Sequence, residues 1–279
     1  TAGLVFHSRN ALISITADQN DLEKIDAGIS GIINNCPDSR PAQAEQHLMQ
    51  KMKNEGFIIP GQVQYVAKGT NLVPYSGTSV KKTNNSGSSN HLIFRDYHQG
   101  TYPVHSGLGV DGVSYDNRLL LLQTILGTDY LWNNVRVMGG AYGAAAKFLH
   151  DGTVYFSSYR DPNLADTLKI YNAVPHFIRS FAPDAREMRK YIIGTIGQLD
   201  APLTPSMKGE RATEDFISHI EQDDIQQERD DILSTTAEDL TVFADPLEDA
   251  LSKGICCTIG SEAKIRENEE LFDSVTSLM

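Results

Sequence analysis

Hydrophobic and polar positions change period several times along this 279-residue chain, and each change marks an element. The run Asn10-Ala11-Leu12-Ile13-Ser14-Ile15-Thr16 is rich in strand-forming residues and reads as a strand ended by Asp18. Asp18 can then cap a helix over Gln19–Asn35, where Leu22, Ile25, Ile29, Ile32 and Ile33 recur at helical spacing. Pro37 and Pro41 end it, and Ala42–Asn54 predicts a second, short helix. Gln62–Lys68 alternates as a half-buried strand does. Asn71–Asp111 carries neither period. Its polar run Lys81–Asn90 has loop composition, while Phe94, Tyr97 and Tyr102 with three histidines allow an ordered excursion over residues 91–105.

Order resumes at Tyr115–Leu126, whose four leucines, Leu119–Leu122, suit a helix buried on most sides. A helix is predicted over Asp129–Met138. Strands follow at Tyr142–Phe148 and Thr153–Tyr159, joined at His150-Asp151-Gly152, where Asp-Gly is a strong hairpin signal. Asp161-Pro162-Asn163 opens a helix to about Phe181 that Pro175 should kink. Asp184–Leu199 is the next helix. A helical series over residues 209–247, a strand at Gly254–Gly260 and a helix at Glu262–Glu269 complete the chain. This pattern predicts an α+β fold, with one mixed, mostly antiparallel sheet and helices packed on one face.

Bulk properties narrow the partners. A net charge of −12 argues against nucleic acid, because phosphate binding needs a basic face. It favours basic ligands by long-range attraction, which physiological salt screens. No apolar run approaches the length of a membrane span, so no membrane partner is expected. The three cysteines, Cys36, Cys256 and Cys257, suggest no disulfide framework, since the count is odd and two are adjacent. Alternation would send the thiols of Cys256 and Cys257 to opposite faces of a strand. Buried free thiols and a reducing compartment are expected. No signal peptide is visible, but the chain opens on Gly3-Leu4-Val5-Phe6-His7 as if cut from something longer.

The most informative chemistry lies in Leu131-Trp132-Asn133-Asn134-Val135-Arg136-Val137-Met138-Gly139-Gly140-Ala141-Tyr142-Gly143. An arginine and a tyrosine stand six residues apart across a glycine pair. Gly139 and Gly140 fit a helix stop in left-handed geometry, with Gly143 shaping the same turn. Such a turn can aim a guanidinium and a phenol at one space, where a peptide backbone offers acceptors. The same pattern also fits a surface arginine beside a half-buried strand tyrosine.

This segment resembles the substrate-binding segment of pitrilysin/insulinase-type zinc metallopeptidases, in the presequence protease branch that includes falcilysin. Two further blocks match in order: Gly152-Thr153-Val154-Tyr155-Phe156-Ser157-Ser158-Tyr159-Arg160-Asp161-Pro162-Asn163, and Asp200-Ala201-Pro202-Leu203-Thr204-Pro205-Ser206-Met207-Lys208-Gly209. The similarity is clear over roughly residues 115–260, fainter over 1–70, and not visible between about 76 and 114, which reads as a loop insertion. The resemblance implies a single non-catalytic C-terminal peptidase homology domain over residues 1–279, a half-sandwich. It implies that Arg136 and Tyr142 donate hydrogen bonds to a bound peptide, with Gly139 and Gly140 beside them. Its partners would be unfolded peptide substrates and the N-terminal catalytic half of the same polypeptide. A mitochondrion or other organelle becomes a possible location.

Zinc would be held outside this chain. The family carries an inverted His-x-x-Glu-His motif, and none of His7, His47, His91, His98, His105, His150, His176 and His219 has Glu-His at the required offset. Ser157-Ser158 shows no nucleophile elbow, Gly107-x-Gly109 does not follow a strand, and Cys36 lacks a defined base. No catalytic or metal-ligating residue is therefore assigned here. Tyr159–Asn163 reads as structural, with Asp161 or Asn163 capping a helix and Arg160 pairing locally; Trp132 reads as a packed anchor. An alternative to the fragment is a free-standing peptide-binding or scaffold subunit, or one that pairs with a separate zinc-bearing chain.

Overall fold

The computed structural model describes residues 12–35, 53–72, 115–149, 152–218 and 220–278. Its residues fall into two compact units: 1–51 with 202–219, and 52–201 with 220–279. In the first unit the described elements are the helices Gln19–Asn35 and Pro205–Ser218. Asp18 caps the former, its Oδ1 accepting from the Asp21 N–H at 3.0 Å, as the sequence predicts. The latter starts at Pro205, earlier than predicted, because Thr204 Oγ1 accepts from the Met207 N–H and proline suits a first helical turn.

The predicted first strand does not form over its described part. Leu12–Asp18 has no regular structure, and Leu12, Ile13 and Ile15 are exposed. Its β-rich composition finds no ladder to join, and strand preference expresses itself only through such pairing. The predicted helix over 42–54, the proposed insertion over 76–114, the hairpin tip His150-Asp151 and Cys36 lie outside the described residues, apart from Lys53 and Asn54, which lead into the first strand.

The second unit is built on one six-stranded sheet. Its strands are β1 (Glu55–Ile58), β2 (Gln64–Asn71), β3 (Gly143–Phe148), β4 (Thr153–Asp161), β5 (Ile255–Gly260) and β6 (Ser274–Ser277). Their spatial order is β3-β4-β2-β5-β1-β6. β1 runs parallel to both β5 and β6, and the other three pairings are antiparallel. The fold is thus the mixed, mostly antiparallel α+β class expected.

Period-two alternation gives the sheet two unlike faces. Ile58, Val66, Phe148, Val154, Phe156 and Cys256 face the helical layer and join the hydrophobic core. Tyr65, Lys147, Tyr159 and Cys257 are exposed on the other face. The two thiols do point apart, but only Cys256 is buried, which corrects the expectation that both would be.

Helix α1 (Arg118–Ile125) supplies the centre of the core. Leu119, Leu121 and Leu122 are buried, as is Ile125. It does not stop near Leu126 as predicted but continues through two wider, π-type stretches, Leu126–Tyr130 and Trp132–Met138. Side chains satisfy carbonyls along that widened path: Thr128 donates to the Thr124 carbonyl, and Asn134 to that of Tyr130. The Tyr130 hydroxyl donates to the Ile170 carbonyl at 2.8 Å, and burial pushes its pKa up to about 12.

The helix predicted from Asp161 to Phe181 is divided. β4 runs on to Asp161, and the helical part splits into α2 (Ala165–Asn172) and α3 (Val174–Ser180), with Pro175 in the first turn of α3. Tyr171 of α2 stacks on Phe156 at 5.6 Å between centroids. Then come α4 (Ala185–Leu199), α5 (Gln222–Ser234), α6 (Ala237–Thr241), α7 (Ala244–Ser252) and α8 (Glu262–Glu267).

Asp184 starts α4 with a full capping box, accepting from the Arg186 and Glu187 N–H groups at 2.7 and 2.8 Å. The Glu187 and Arg186 backbone bonds hold its carboxyl below the usual range. Because the folded pKa is depressed, this stabilisation is present above the unfolded carboxylate pKa and is lost as pH falls through the folded value. Asp184→Ala is therefore expected to lower Tm at pH 7, with the deficit shrinking as pH drops below about 4. Thermal melts across pH test this, and a deficit of constant size would contradict it.

Candidate substrate-binding cleft

The widened helix ends at Gly139, whose backbone is right-handed (φ −79°, ψ −20°), and Gly140 follows at φ +81°. Only Gly140 therefore uses the left-handed freedom expected of both glycines. Gly139 is needed for another reason: a Cβ there would lie 2.5 Å from the Val135 carbonyl oxygen. Gly143 has an ordinary φ and open space around it, so it does not shape the turn as the sequence suggested. Two nested bonds close the helix, from Gly140 N–H to the Arg136 carbonyl and from Ala141 N–H to that of Val135.

The block after β4 braces this turn. Asn163 Nδ2 donates to the Gly139 carbonyl at 2.6 Å, and the Pro162 ring lies against Gly140. Asp161 is fully buried and accepts from the Asn163 N–H at 2.8 Å and from Thr167 Oγ1 at 2.7 Å. The residue before α2 is Leu164, which makes no side-chain cap, so Asp161 and Asn163 hold the turn together rather than cap the helix.

Arg136 and Tyr142 then meet at one cleft of about 490 Å³, lined by Arg136, Val137, Gly140, Ala141, Tyr142 and Arg160. The Arg136 guanidinium carbon sits 3.9 Å over the Trp132 ring. That stack occupies a face of the planar group and does not use its in-plane N–H donors. Trp132 is 45% exposed, so it supports the arginine from the surface rather than anchoring the core. Tyr142 is 64% exposed; its ring packs edge-on against Tyr159 at 5.5 Å, and Tyr159 packs likewise on Tyr65 at 5.3 Å. Its N–H donates to the Tyr159 carbonyl, fixing the start of β3. Val137 adds exposed apolar surface to the lining.

Arg160 reaches the cleft through a β-bulge. Gln64 pairs with Asp161 and Val66 with Ser158, so Tyr159 and Arg160 together oppose the single residue Tyr65. Arg160 adopts φ +50°, which costs a non-glycine residue roughly 1–2 kcal/mol. The local ion pair expected of it does not form among the described residues; its side chain lines the cleft instead. Neither the stack on Trp132 nor the bulge at Arg160 was read from sequence. Trp132 and Arg136 at i, i+4 were a usable signal for the first.

Among the described residues, no group of three or more His, Cys, Asp or Glu side chains is placed to hold a metal ion. These residues do not fit a zinc centre, and the chemistry of the cleft is that of hydrogen-bond donors. No described helix is long and apolar enough to cross a membrane.

The sheet with helices on one face is an architecture found among peptidase homology domains. A solved peptidase M16 inactive domain from Pseudomonas fluorescens shares the fold, with a TM-score of 0.51 and 13% identity over 88% of this chain and 51% of that one. The chain belongs to the PreP C-terminal domain family, which it matches over residues 104–262. It is 35% identical over 276 residues to Protein HypA of Clostridium perfringens, covering 99% of this chain and 25% of that protein. It is 28% identical to Presequence protease 1, chloroplastic/mitochondrial, of Arabidopsis thaliana, covering 91% of this chain and 20% of that protein. The chain thus spans about a quarter or less of the length of these relatives.

Proposed function

We propose that this chain is the substrate-binding, non-catalytic C-terminal domain of a zinc metalloendopeptidase that degrades unfolded peptides in a closed chamber. The observation that carries the reading is the convergence of half-buried Arg136 and exposed Tyr142, two donors on one braced turn, in a single cleft. Both donate to carbonyl oxygens of the bound peptide beside the scissile bond. Stacking on Trp132 orients the guanidinium in advance, so little ordering remains to be done on binding. As charge develops on the scissile carbonyl, fixed donors of this kind stabilise it. Exposed Val137 and the open sheet face with its tyrosine ladder offer contact to an extended chain. Zinc and the attacking water belong to the N-terminal catalytic half, outside this chain, and an organellar location accords with the names of the presequence protease relatives.

A peptidase assay separates the two halves of this reading. This chain alone is expected to show no cleavage of an unstructured peptide. The polypeptide that joins it to the catalytic half is expected to cleave, and a chelator to abolish that cleavage. Chelator-sensitive cleavage by this chain alone would overturn the assignment.

A further inference from the structure

We infer that Arg160 forms a carboxylate-reading subsite in the same cleft, beside Arg136 and Tyr142; this rests on the peptide-binding reading above. The lining of the cleft contains two guanidinium groups and no carboxylate. Arg118, Arg179, Arg229 and Arg266 have acidic partners, whereas Arg186 and Arg189 on the α4 surface have no ion pair among the described residues; what sets Arg136 and Arg160 apart is that they share one cleft. Among the described residues neither Arg136 nor Arg160 has an acidic partner. A ligand can supply the negative charge that no described residue gives these two groups.

Backbone geometry points the same way. The bulge places an extra residue in β4, and that residue carries its side chain into the cleft at φ +50°. Asparagine or glycine tolerates this geometry better than arginine. No side-chain hydrogen bond or ion pair of Arg160 among the described residues offsets the strain. Strained backbone that serves no bond of its own marks a site where the side chain acts on something else.

The chemistry then selects the ligand group. A main-chain carbonyl bears a partial charge, and Arg136 with Tyr142 already supplies donors for it. A further rigid fork, fully charged, matches a full negative charge that can accept two parallel bonds. On a peptide that group is a carboxylate, either of an Asp or Glu side chain or of the C-terminus. The C-terminal source exists on basic peptides too, so the subsite is compatible with long-range attraction of basic substrates by an acidic chain.

The test uses the polypeptide that contains both halves and four versions of one peptide: with Glu or with Gln at one position, each with a free or an amidated C-terminus. In the wild type, kcat/KM is expected to be about ten-fold higher for one carboxylate over its neutral match, and the arm showing the preference names the source. Arg160→Asn, compatible with the left-handed backbone, is expected to collapse that ratio towards one. Arg160→Lys keeps the charge without the fork and is expected to retain part of it, which also covers any failure of the first variant to fold. A wild-type ratio of one in both arms, or a ratio unmoved by Arg160→Asn, would overturn the subsite. Arg136→Ala separates this from the underlying reading. If it depresses cleavage of all four peptides while the Arg160 variants leave the ratio intact, peptide binding stands and the subsite falls. If it depresses none, the peptide-binding reading itself fails.

Discussion

Arg136→Ala, made in the polypeptide that carries both halves, is expected to lower kcat/KM for an unfolded peptide at least ten-fold, a loss of about 1.4 kcal/mol of transition-state stabilisation. The Arg136 side chain does little for the fold. Its contact in the structure is the stack on Trp132, and among the described residues it carries no ion pair. Removing it should therefore leave Tm nearly unchanged while activity falls. Tyr142→Phe is the finer version. It deletes one hydroxyl from a ring that is 64% exposed and keeps the edge contact with Tyr159. Arg136→Lys should not restore the rate, because an ammonium neither stacks flat on the indole nor presents a fork. Unchanged turnover in Arg136→Ala and Tyr142→Phe, with folding intact, would remove the cleft from the reaction.

Gly139→Ala is expected to have the largest effect on stability. Its new methyl would sit 2.5 Å from the Val135 carbonyl oxygen and 3.0 Å from that of Asn134, both backbone atoms that cannot swing aside. Forcing atoms into such a gap costs about 1–3 kcal/mol and shifts the turn that aims Arg136. Gly140→Ala should cost about 1–2 kcal/mol through its backbone conformation, because φ is +81° while the space around it is ordinary. Gly143→Ala should be close to neutral, having neither constraint. Thermal melts of the three variants check the series. Equal effects at Gly139 and Gly143 would contradict the close approach described for the turn. Kinetics would add that Gly139→Ala loses activity even at temperatures where it is folded.

This series also shows where sequence reasoning reached its limit. Gly139 and Gly140 read together as a helix stop, and they do end the helix, but by two different physical routes. A left-handed φ can be anticipated from a glycine pair. A carbonyl 2.5 Å from an absent Cβ depends on the widened helical turns before it, and side-chain bonds such as Thr128 to Thr124 signal those only once the helix is built.

The strands with clear alternation, β3, β4 and β5, were readable because one face of each is buried against helices. Leu12–Asp18 has the same composition and forms no strand, since pairing is decided by partners that composition does not specify. The break near Pro175 follows from local chemistry and appears where expected, and the helix read from Asp184 does start there, on a capping box that only the structure reveals. Arg136 and Tyr142 were found through their spacing and the resemblance of their flanking blocks. Arg160 lies inside one of those blocks, yet its role depends on a one-residue register slip between β2 and β4. Nothing in the Tyr159–Asn163 run announces that slip.

A structure of the polypeptide containing both halves, its catalysis blocked and an unfolded peptide bound, tests directly whether the cleft holds substrate. The Arg136 guanidinium and the Tyr142 hydroxyl are expected within hydrogen-bond distance, about 2.7–3.2 Å, of oxygen atoms of the peptide. A peptide seated at the zinc centre with both side chains facing solvent, out of reach of any of its oxygens, would contradict that expectation.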